Sequence, residues 1–318
     1  DLVLGINEKF RLFDYIDNFD KTELSCIHHT PVNEINNFDE AFSADTDSRT
    51  RAFLKIQDGC NYKCSFCTIP LARGRSRSLE MNTVIENAKN LIGLGYKEIV
   101  LTGVNTGDYT YQNGTPKVNK LIDVLYELDK LDISRIRISS IEPNLLTDDI
   151  IQLVSSSGKI CNHFHIPLQS GDPETLKLMR RRYNREYYKD LIEKLNTRLP
   201  GLGIGVDVII GFPGETDERF VNTLSFLEDL SVSYLHVFSY SERRNTYAVT
   251  LSGRVDMSAR KERSRILREL SGKKRLAFYR KNAGLKHKVL FETEKEDNHI
   301  YGFTDNYIKV RAKHSPDL

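Results

Sequence analysis

The sequence has few cysteines and no long apolar run, and both absences restrict its class. No stretch of the 318 residues approaches the roughly 18 apolar residues that a membrane helix needs, so we expect a soluble protein without membrane contact. Five cysteines, of which Cys26 and Cys161 stand alone, do not resemble the disulfide framework of a secreted protein. We therefore expect a reducing, cytoplasmic location.

A methionine start and a targeting leader are also missing. The first residue is Asp1, and no charged segment followed by an apolar one comes after it. We expect a fragment or a trimmed chain. Its length and its hydrophobic content of 39% are sufficient for one large domain with appendages.

The net charge of +2 conceals an uneven distribution along the chain. Residues 1–50 carry 11 acidic and 4 basic side chains, whereas residues 259–288 carry 12 basic and 2 acidic ones. Such a basic stretch is either a solvated helix face or a surface that contacts a phosphate backbone. Composition alone leaves both interpretations open.

Three of the cysteines, Cys60, Cys64 and Cys67, form the pattern CxxxCxxC with no fourth cysteine beside them. A structural zinc site normally has four protein ligands, whereas three thiolates can hold a 4Fe-4S cube and leave one iron open to a small molecule. The alternating segment 52–56 precedes them, which predicts a loop at the end of a strand, where parallel α/β folds bind ligands. The alternative is a zinc site completed by a distant histidine or by Cys161.

This motif, with Phe66 before the last cysteine, resembles that of the radical S-adenosylmethionine (SAM) superfamily. Four flanking segments resemble the tRNA methylthiotransferases: LKIQDGC at 54–60, IPLARG at 69–74, SSIEP at 139–143 and HIPLQSG at 165–171. The segments MRRRY at 179–183 and SYSER at 239–243 resemble the branch that acts on threonylcarbamoyladenosine. The resemblance extends over nearly the whole chain.

Strand-like and helix-like segments alternate six times between about residues 51 and 244. The predicted strands are 52–56, 98–103, 135–141, 163–168, 205–211 and 234–240, with helical patterns between them, one of them opened by Asp172-Pro173. Alternation of this kind indicates parallel strands joined by right-handed crossovers. Six units are too few for an eight-unit barrel, so we expect an open, partial (βα)6 barrel, which the radical SAM resemblance also implies.

The rest of the chain divides into segments on either side of this core. We assign 1–50 to the end of an N-terminal methylthiotransferase domain and a linker, 51–254 to the radical SAM core, and 255–283 to a basic helical connector. Within the first segment we expect a strand at 1–5, a helix at 9–20 and little regular structure in 21–50. Short strands in 284–318 predict a small, incomplete β-barrel that resembles the TRAM RNA-binding domain.

The resemblance also implies cofactors and the residues that hold them. It implies that Cys60, Cys64 and Cys67 are the catalytic cluster ligands, and that SAM lies across the remaining strand ends and is cleaved to a 5′-deoxyadenosyl radical. A second 4Fe-4S cluster is expected in the full-length protein, but its three cysteines are absent here. The candidate cofactor-binding residues are Phe66, Gly103, Asn105, Ser140, Glu142, Gln169, Asp207 and Arg181.

Other polar side chains are less informative. Arginines 73, 75, 77, 180, 181 and 182 are expected near the same rim, where they would pair with the SAM carboxylate or RNA phosphates, or remain solvated. One of His163 and His165 is expected to be packed or hydrogen-bonded. Cys161 is expected to be a small buried hydrophobic residue.

The resemblance implies an enzyme that adds a methylthio group to carbon 2 of N6-threonylcarbamoyladenosine beside the anticodon of tRNA. Little free energy is needed to move an anticodon base into a buried site, because such a base is already unpaired or easily unstacked. An electron donor such as flavodoxin or ferredoxin is implied, and the sulfur donor is unknown. Two alternatives stay open: a relative that acts on isopentenyladenosine tRNA or a ribosomal protein, and a metal-stabilised RNA-binding protein without catalysis.

Overall fold

Six parallel strands form the centre of the molecule in a computed structural model, which describes residues 2–16, 24–38, 40, 42–43, 50–112, 114 and 116–315. They are β1 (Arg51–Lys55), β2 (Glu98–Thr102), β3 (Arg135–Ile138), β4 (His163–His165), β5 (Gly203–Ile210) and β6 (Tyr234–Ser239). Strands β1 to β3 pair with one another, as do β4 to β6, and single parallel bridges at Ile136–Ile160 and Ser140–His165 join the two halves. Strand order follows chain order, which confirms the predicted series of parallel βα units.

Helices cover the outside of this sheet. They are α1 (Met81–Gly93), α2 (Leu121–Asp129), α3 (Asp148–Ser156), α4 (Pro173–Leu178), α5 (Arg185–Arg198), α6 (Asp217–Asp229) and α7 (Met257–Asn282). Their apolar faces and the strands form one continuous core. The helix predicted to begin at Asp172-Pro173 is confirmed as α4, with Asp172 as its N-cap. The second helix, α5, was not predicted; residues 179–184 separate it from α4, and Arg180 there adopts a left-handed φ of 57°.

The sheet is open, and other elements cover its two edges. At the β1 edge, Phe42–Ser43 pairs antiparallel with the strand. At the β6 edge the long helix α7 supplies side chains: the Ser271 hydroxyl accepts from the Leu235 amide and donates to the Leu235 carbonyl, both at 2.9 Å. A helix side chain thus satisfies edge-strand groups that the next strand of a closed barrel would pair.

The N-terminal region has more regular structure than the sequence predicted. Leu2–Leu4 pairs in parallel with Cys26–His28, so part of the segment expected to lack regular structure is a strand. The predicted helix at 9–20 is a 3-10 turn, Lys9–Arg11, followed by the short helix Leu12–Ile16. Residues 17–20 lie outside the described residues.

A three-stranded antiparallel sheet follows α7. It consists of β7 (Val289–Glu296), β8 (His299–Thr304) and β9 (Lys309–Lys313). It packs against the amino-terminal part of the barrel strands: the Arg135 guanidinium donates to the Phe303 carbonyl at 2.8 Å and to the Lys288 carbonyl at 2.6 Å. This sheet therefore lies at the opposite end of the barrel from the loops that leave the strands.

The remaining elements are short. They are the helices Val32–Glu34, Ile69–Arg73, Thr106–Asp108, Pro143–Leu145 and Tyr247–Thr250, and the paired strands Gln57–Asp58 with Arg77–Ser78 and Thr110–Tyr111 with Asn119–Lys120. Within the described part of the chain, no helix combines the length and the apolar character needed to cross a membrane.

Candidate functional site

The cysteine loop follows the short strand Gln57–Asp58, which comes directly after β1 in the chain. Backbone contacts fix the shape of this loop. Gly59 has a φ of 69°, and a Cβ atom there would lie 2.0 Å from the Arg75 carbonyl oxygen, so only glycine fits. The Cys60 amide donates to the Gly74 carbonyl at 3.1 Å. The three thiols are free and partly exposed on this loop.

A buried carboxylate holds the base of the loop. Asp58 is 1% exposed, accepts from the Gly59 amide at 2.8 Å and pairs with Lys55 at 2.8 Å, Arg73 at 3.0 Å and Arg77 at 3.3 Å. Burial alone would raise the pKa of this carboxyl, but the hydrogen bonds and positive charges of Lys55 and Arg73 lower it to about 2. Arg73 and Arg77, expected to pair with SAM or RNA, thus pair with a carboxylate of this chain.

Gln57 joins the cysteine loop to the loop after β2, a role that the sequence did not reveal. Its buried amide nitrogen donates to the carbonyls of Asp58 at 3.1 Å and Gly59 at 2.8 Å, and its oxygen accepts from the Asn105 amide at 2.9 Å. A Cβ atom on Gly103 would lie 2.9 Å from that same oxygen. The close approach at Gly103 is therefore to Gln57.

Arg181 connects the cysteine loop to the end of β3. Its guanidinium donates to the Cys64 sulfur at 3.1 Å, pairs with the Glu142 carboxylate, and donates to the Tyr183 hydroxyl at 3.0 Å. Burial opposes the charge, but Tyr183, Glu142 and Cys64 together raise the pKa of Arg181 well above its usual value. A fixed positive charge thus lies beside one of the thiols.

Burial raises the pKa of all three thiols. It raises the pKa of Cys60 to about 11 and raises those of Cys64 and Cys67, with the Arg181 charge opposing the shift at Cys64. Because a metal-bound thiol is deprotonated, binding at these cysteines requires a group whose positive charge offsets burial.

Cys161 does not complete a zinc site with these thiols. It is buried near the start of β4, where its amide donates to the Ile136 carbonyl at 2.8 Å, in the amino-terminal part of the barrel. This confirms that it is a buried hydrophobic residue. Among the described residues, no three His, Cys, Asp or Glu side chains are arranged to hold a single metal ion.

The site nevertheless has the donors that a 4Fe-4S cluster with SAM requires. Three free thiols on one loop are the soft ligands that iron–sulfur clusters use. In the described part of the chain, the side-chain nitrogen Nδ2 of Asn105 and the side-chain oxygen Oε1 of Gln169 are buried without a hydrogen-bond partner. Since such orphaned atoms cost about 1 to 3 kcal/mol each, a polar ligand at these strand ends would relieve them.

A hydrogen-bonded row connects Ser140, just after β3, with His165 at the end of β4 and Asp207 within β5. The Ser140 hydroxyl and His165 Nδ1 are 2.8 Å apart, and His165 Nε2 lies 2.8 Å from the Asp207 carboxylate. Sequence reasoning had selected Ser140 and Asp207 but not the histidine between them. His163 is also hydrogen-bonded, to the Tyr234 hydroxyl at 2.8 Å.

A pocket of about 270 Å³ lies beside this row. It brings together three predicted residues, Phe66, Gln169 and Asp207, and Gln169 has a left-handed φ of 71°. The full lining is Phe66, Gln169, Asp207, Ile209, Phe238, Ser239, Tyr240, Ser241 and Arg243. Of the other predicted residues, Gly103 and Asn105 lie at Gln57, Glu142 pairs with Arg181, and Ser140 belongs to the hydrogen-bonded row.

Helix α7 shapes the rim of this pocket through a buried arginine. Arg260 is 1% exposed and donates to the Tyr240 carbonyl at 2.8 Å, the Val255 carbonyl at 3.0 Å and the Glu242 carboxylate at 2.7 Å. A Cβ atom on Gly211 would lie 2.3 Å from the Arg260 side chain, so only glycine allows Arg260 to pack this closely against the turn after β5.

A second arginine of α7 is also internal. Arg263 pairs with Glu215 at 2.7 Å and with Asp217 at 2.6 Å. Part of the basic connector therefore binds carboxylates of this chain, which reduces the positive charge that faces solvent.

Comparisons with known proteins identify the class of this site. The model of the radical SAM superfamily matches residues 54–227. The coproporphyrinogen III oxidase HemN of Escherichia coli, a radical SAM enzyme, has the same fold, with a TM-score of 0.54 and 14% identity over 82% of this chain and 68% of that one. The chain belongs to the radical SAM superfamily.

Relatives define the family more closely. The threonylcarbamoyladenosine tRNA methylthiotransferase MtaB of Bacillus subtilis is 41% identical over 100% of this chain and 71% of that protein. The tRNA-2-methylthio-N(6)-dimethylallyladenosine synthase of Clostridium tetani is 33% identical over 96% of this chain and 67% of that one. The chain thus belongs to the MtaB-like methylthiotransferases, which confirms the family resemblance.

Proposed function

We propose that this chain is a radical SAM methylthiotransferase that adds a methylthio group to carbon 2 of N6-threonylcarbamoyladenosine beside the anticodon of tRNA. The observation that carries the proposal is the 41% identity to the Bacillus subtilis MtaB protein along the whole chain. The site supports it, because Arg181 and Gln57 join three cysteines to the strand ends that hold the predicted SAM ligands.

In this proposal Cys60, Cys64 and Cys67 hold a 4Fe-4S cluster. The bound cluster and SAM supply one-electron chemistry, which an aromatic carbon–hydrogen bond requires because it resists acid–base attack. Asn105 and Gln169 offer their unpartnered amide atoms to SAM. The finer assignment of SAM contacts to Phe66, Gly103, Ser140, Glu142 and Asp207 is part of the same proposal.

Residues around the cluster loop position these ligands and control charge. Arg181 donates to the Cys64 sulfur and neutralises Glu142, so it holds the loop at a fixed distance from the end of β3. Phe66 packs edge-on against the buried Phe212, with ring centroids 6.4 Å apart, which orients the residue before Cys67. The protein thereby positions the groups on which the cofactor chemistry depends.

We propose that the segments on either side of the core bind the RNA and, in the full-length protein, the second cofactor. We assign 284–318 to part of a TRAM-like RNA-binding barrel, 255–283 to its connector, 51–254 to the radical SAM core and 1–50 to the end of an N-terminal domain. In the full-length protein that domain would hold a second 4Fe-4S cluster. We further propose tRNA as the partner, flavodoxin or ferredoxin as the electron donor and the cytoplasm as the location; the sulfur donor is open.

A direct methylthiolation assay tests the proposal. The protein, reconstituted anaerobically with iron and sulfide, is incubated with SAM, dithionite and anticodon stem-loops that carry either threonylcarbamoyladenosine or isopentenyladenosine. Mass spectrometry of the nucleosides should show the methylthio product from the first RNA. A product only from the second RNA would favour the isopentenyladenosine alternative, and RNA binding without any product would favour a non-catalytic binding protein.

A further inference from the structure

The pocket at the end of β6 differs chemically between its inner and outer parts. Its inner part contains Phe66, Gln169 and Asp207, which lie near the cysteine loop and the hydrogen-bonded row. Its outer part contains Phe238, which is 52% exposed, and Arg243, which is exposed. An apolar wall and a cation thus lie together where a substrate would enter.

Arg243 has no carboxylate partner among the described residues. Its neighbour Glu242 faces away, because Arg260 binds that carboxylate at 2.7 Å and Arg254 lies 3.7 Å from it. The hydrogen bond from Arg260 lowers the pKa of Glu242 to about 2, so Glu242 is an anion that is already paired. Asp207, the acidic residue of the pocket lining, is 2.8 Å from His165 in the inner part.

The other arginines of this rim contact groups of the chain itself. Arg181 pairs with Glu142. The guanidinium of Arg180 lies 3.8 Å from the ring centroid of Tyr247, and that of Arg182 lies 3.7 Å from the centroid of Tyr62. Of the described residues that line the pocket, Arg243 is the cation available to a ligand.

The substrate of the proposed function, on which this step rests, carries a matching group. A threonylcarbamoyl substituent ends in the free carboxylate of threonine, whereas an isopentenyl substituent is a hydrocarbon. We propose that Arg243 binds the threonine carboxylate of the modified adenosine and thereby selects this substrate. A planar guanidinium can bind a carboxylate through two parallel hydrogen bonds, and an uncharged substituent would leave it unpaired.

Binding to three anticodon stem-loops, measured by fluorescence anisotropy, tests this role. The RNAs are identical except for one nucleoside: threonylcarbamoyladenosine, its threonine methyl ester, or adenosine. We expect the parent chain to prefer the free carboxylate over the ester by about tenfold or more, the effect of one charged hydrogen-bonded pair. Arg243→Ala should abolish this preference, and Arg243→Lys should retain part of it.

Arg244→Ala is the matched control, because Arg244 is an exposed neighbour that does not line the pocket. It should weaken binding to all three RNAs equally or leave it unchanged. If Arg243→Ala keeps the preference of the parent chain, the role of Arg243 is overturned while the proposed substrate stands. If the parent chain itself shows no preference, the role of Arg243 is overturned, and methylthiolation of the threonylcarbamoyladenosine stem-loop decides separately whether the proposed substrate stands.

Discussion

The side-chain oxygen of Gln57 accepts a hydrogen bond from the Asn105 amide at 2.9 Å, which joins the base of the cysteine loop to the loop after β2. The amide nitrogen of the same side chain binds the Gly59 carbonyl at 2.8 Å. One fully buried residue therefore sets the distance between a proposed cluster-binding loop and a proposed SAM-binding loop.

Replacement of Gln57 by leucine should weaken both the fold and the retention of the cluster. The change leaves the Asn105 amide and the Gly59 carbonyl buried without their partner, and each such loss costs about 1 to 3 kcal/mol. Urea unfolding of the apo-protein and iron content after reconstitution measure the two effects. Gln152→Leu, on the exposed side of α3, is the control and should change neither; equal behaviour of the two variants would contradict the linking role.

Replacement of Arg260 by methionine should destabilise the rim of the pocket. Two buried carbonyls, of Tyr240 and Val255, lose a charged donor, and hydrogen bonds of this kind contribute about 1.5 to 3 kcal/mol each. We expect the free energy of unfolding to fall by about 3 kcal/mol or more. The neighbouring exposed Lys261, changed to methionine, should have little effect, and a similarly small loss for both variants would argue against the contacts described.

The stability of the protein should fall as the pH drops below about 6.5, and His163 should cause part of this fall. Burial, helped by the positive charge of Arg137, lowers the pKa of His163 well below its usual value, so the imidazole is neutral in the fold. Below the unfolded pKa near 6.5, the unfolded chain binds a proton that the folded chain does not, and stability decreases by up to about 1.4 kcal/mol per pH unit.

Urea unfolding at pH 7.5 and pH 5.5 checks this prediction through a difference between variants. His163→Gln should show a smaller loss between the two pH values than the parent chain. His29→Gln, at an exposed position, should show the same loss as the parent. An unchanged pH dependence in His163→Gln would show that this histidine is not responsible.

The sequence predicted the central strands well because the signal is local. Short runs rich in Val, Ile and Leu, at 99–101 and 206–210, mark two of these strands, as is typical of buried parallel strands. The cysteine spacing likewise marks its own loop without reference to distant residues. The division between α4 and α5 was missed, although Asn184 supplies a local signal as the N-cap of α5; the left-handed conformation of Arg180 before it has no such signal.

Contacts between distant segments are what the sequence did not reveal. Arg135 binds carbonyls more than 150 residues away, which places the C-terminal sheet at the amino-terminal end of the barrel. Arg260 and Arg263 belong to a segment that composition classified as a basic surface, yet both are buried against carboxylates. A buried arginine has no sequence signature of its own, because its partners come from other elements.

Formation of 5′-deoxyadenosine from SAM shows whether Cys60, Cys64 and Cys67 hold a catalytic cluster. The parent chain, Cys64→Ala and the control Cys26→Ala would each be reconstituted with iron and sulfide under anaerobic conditions and then given SAM and dithionite. We expect 5′-deoxyadenosine from the parent and from Cys26→Ala, and none from Cys64→Ala. Product from Cys64→Ala at the parent level, or no product from a fully iron-loaded parent chain, would contradict this expectation.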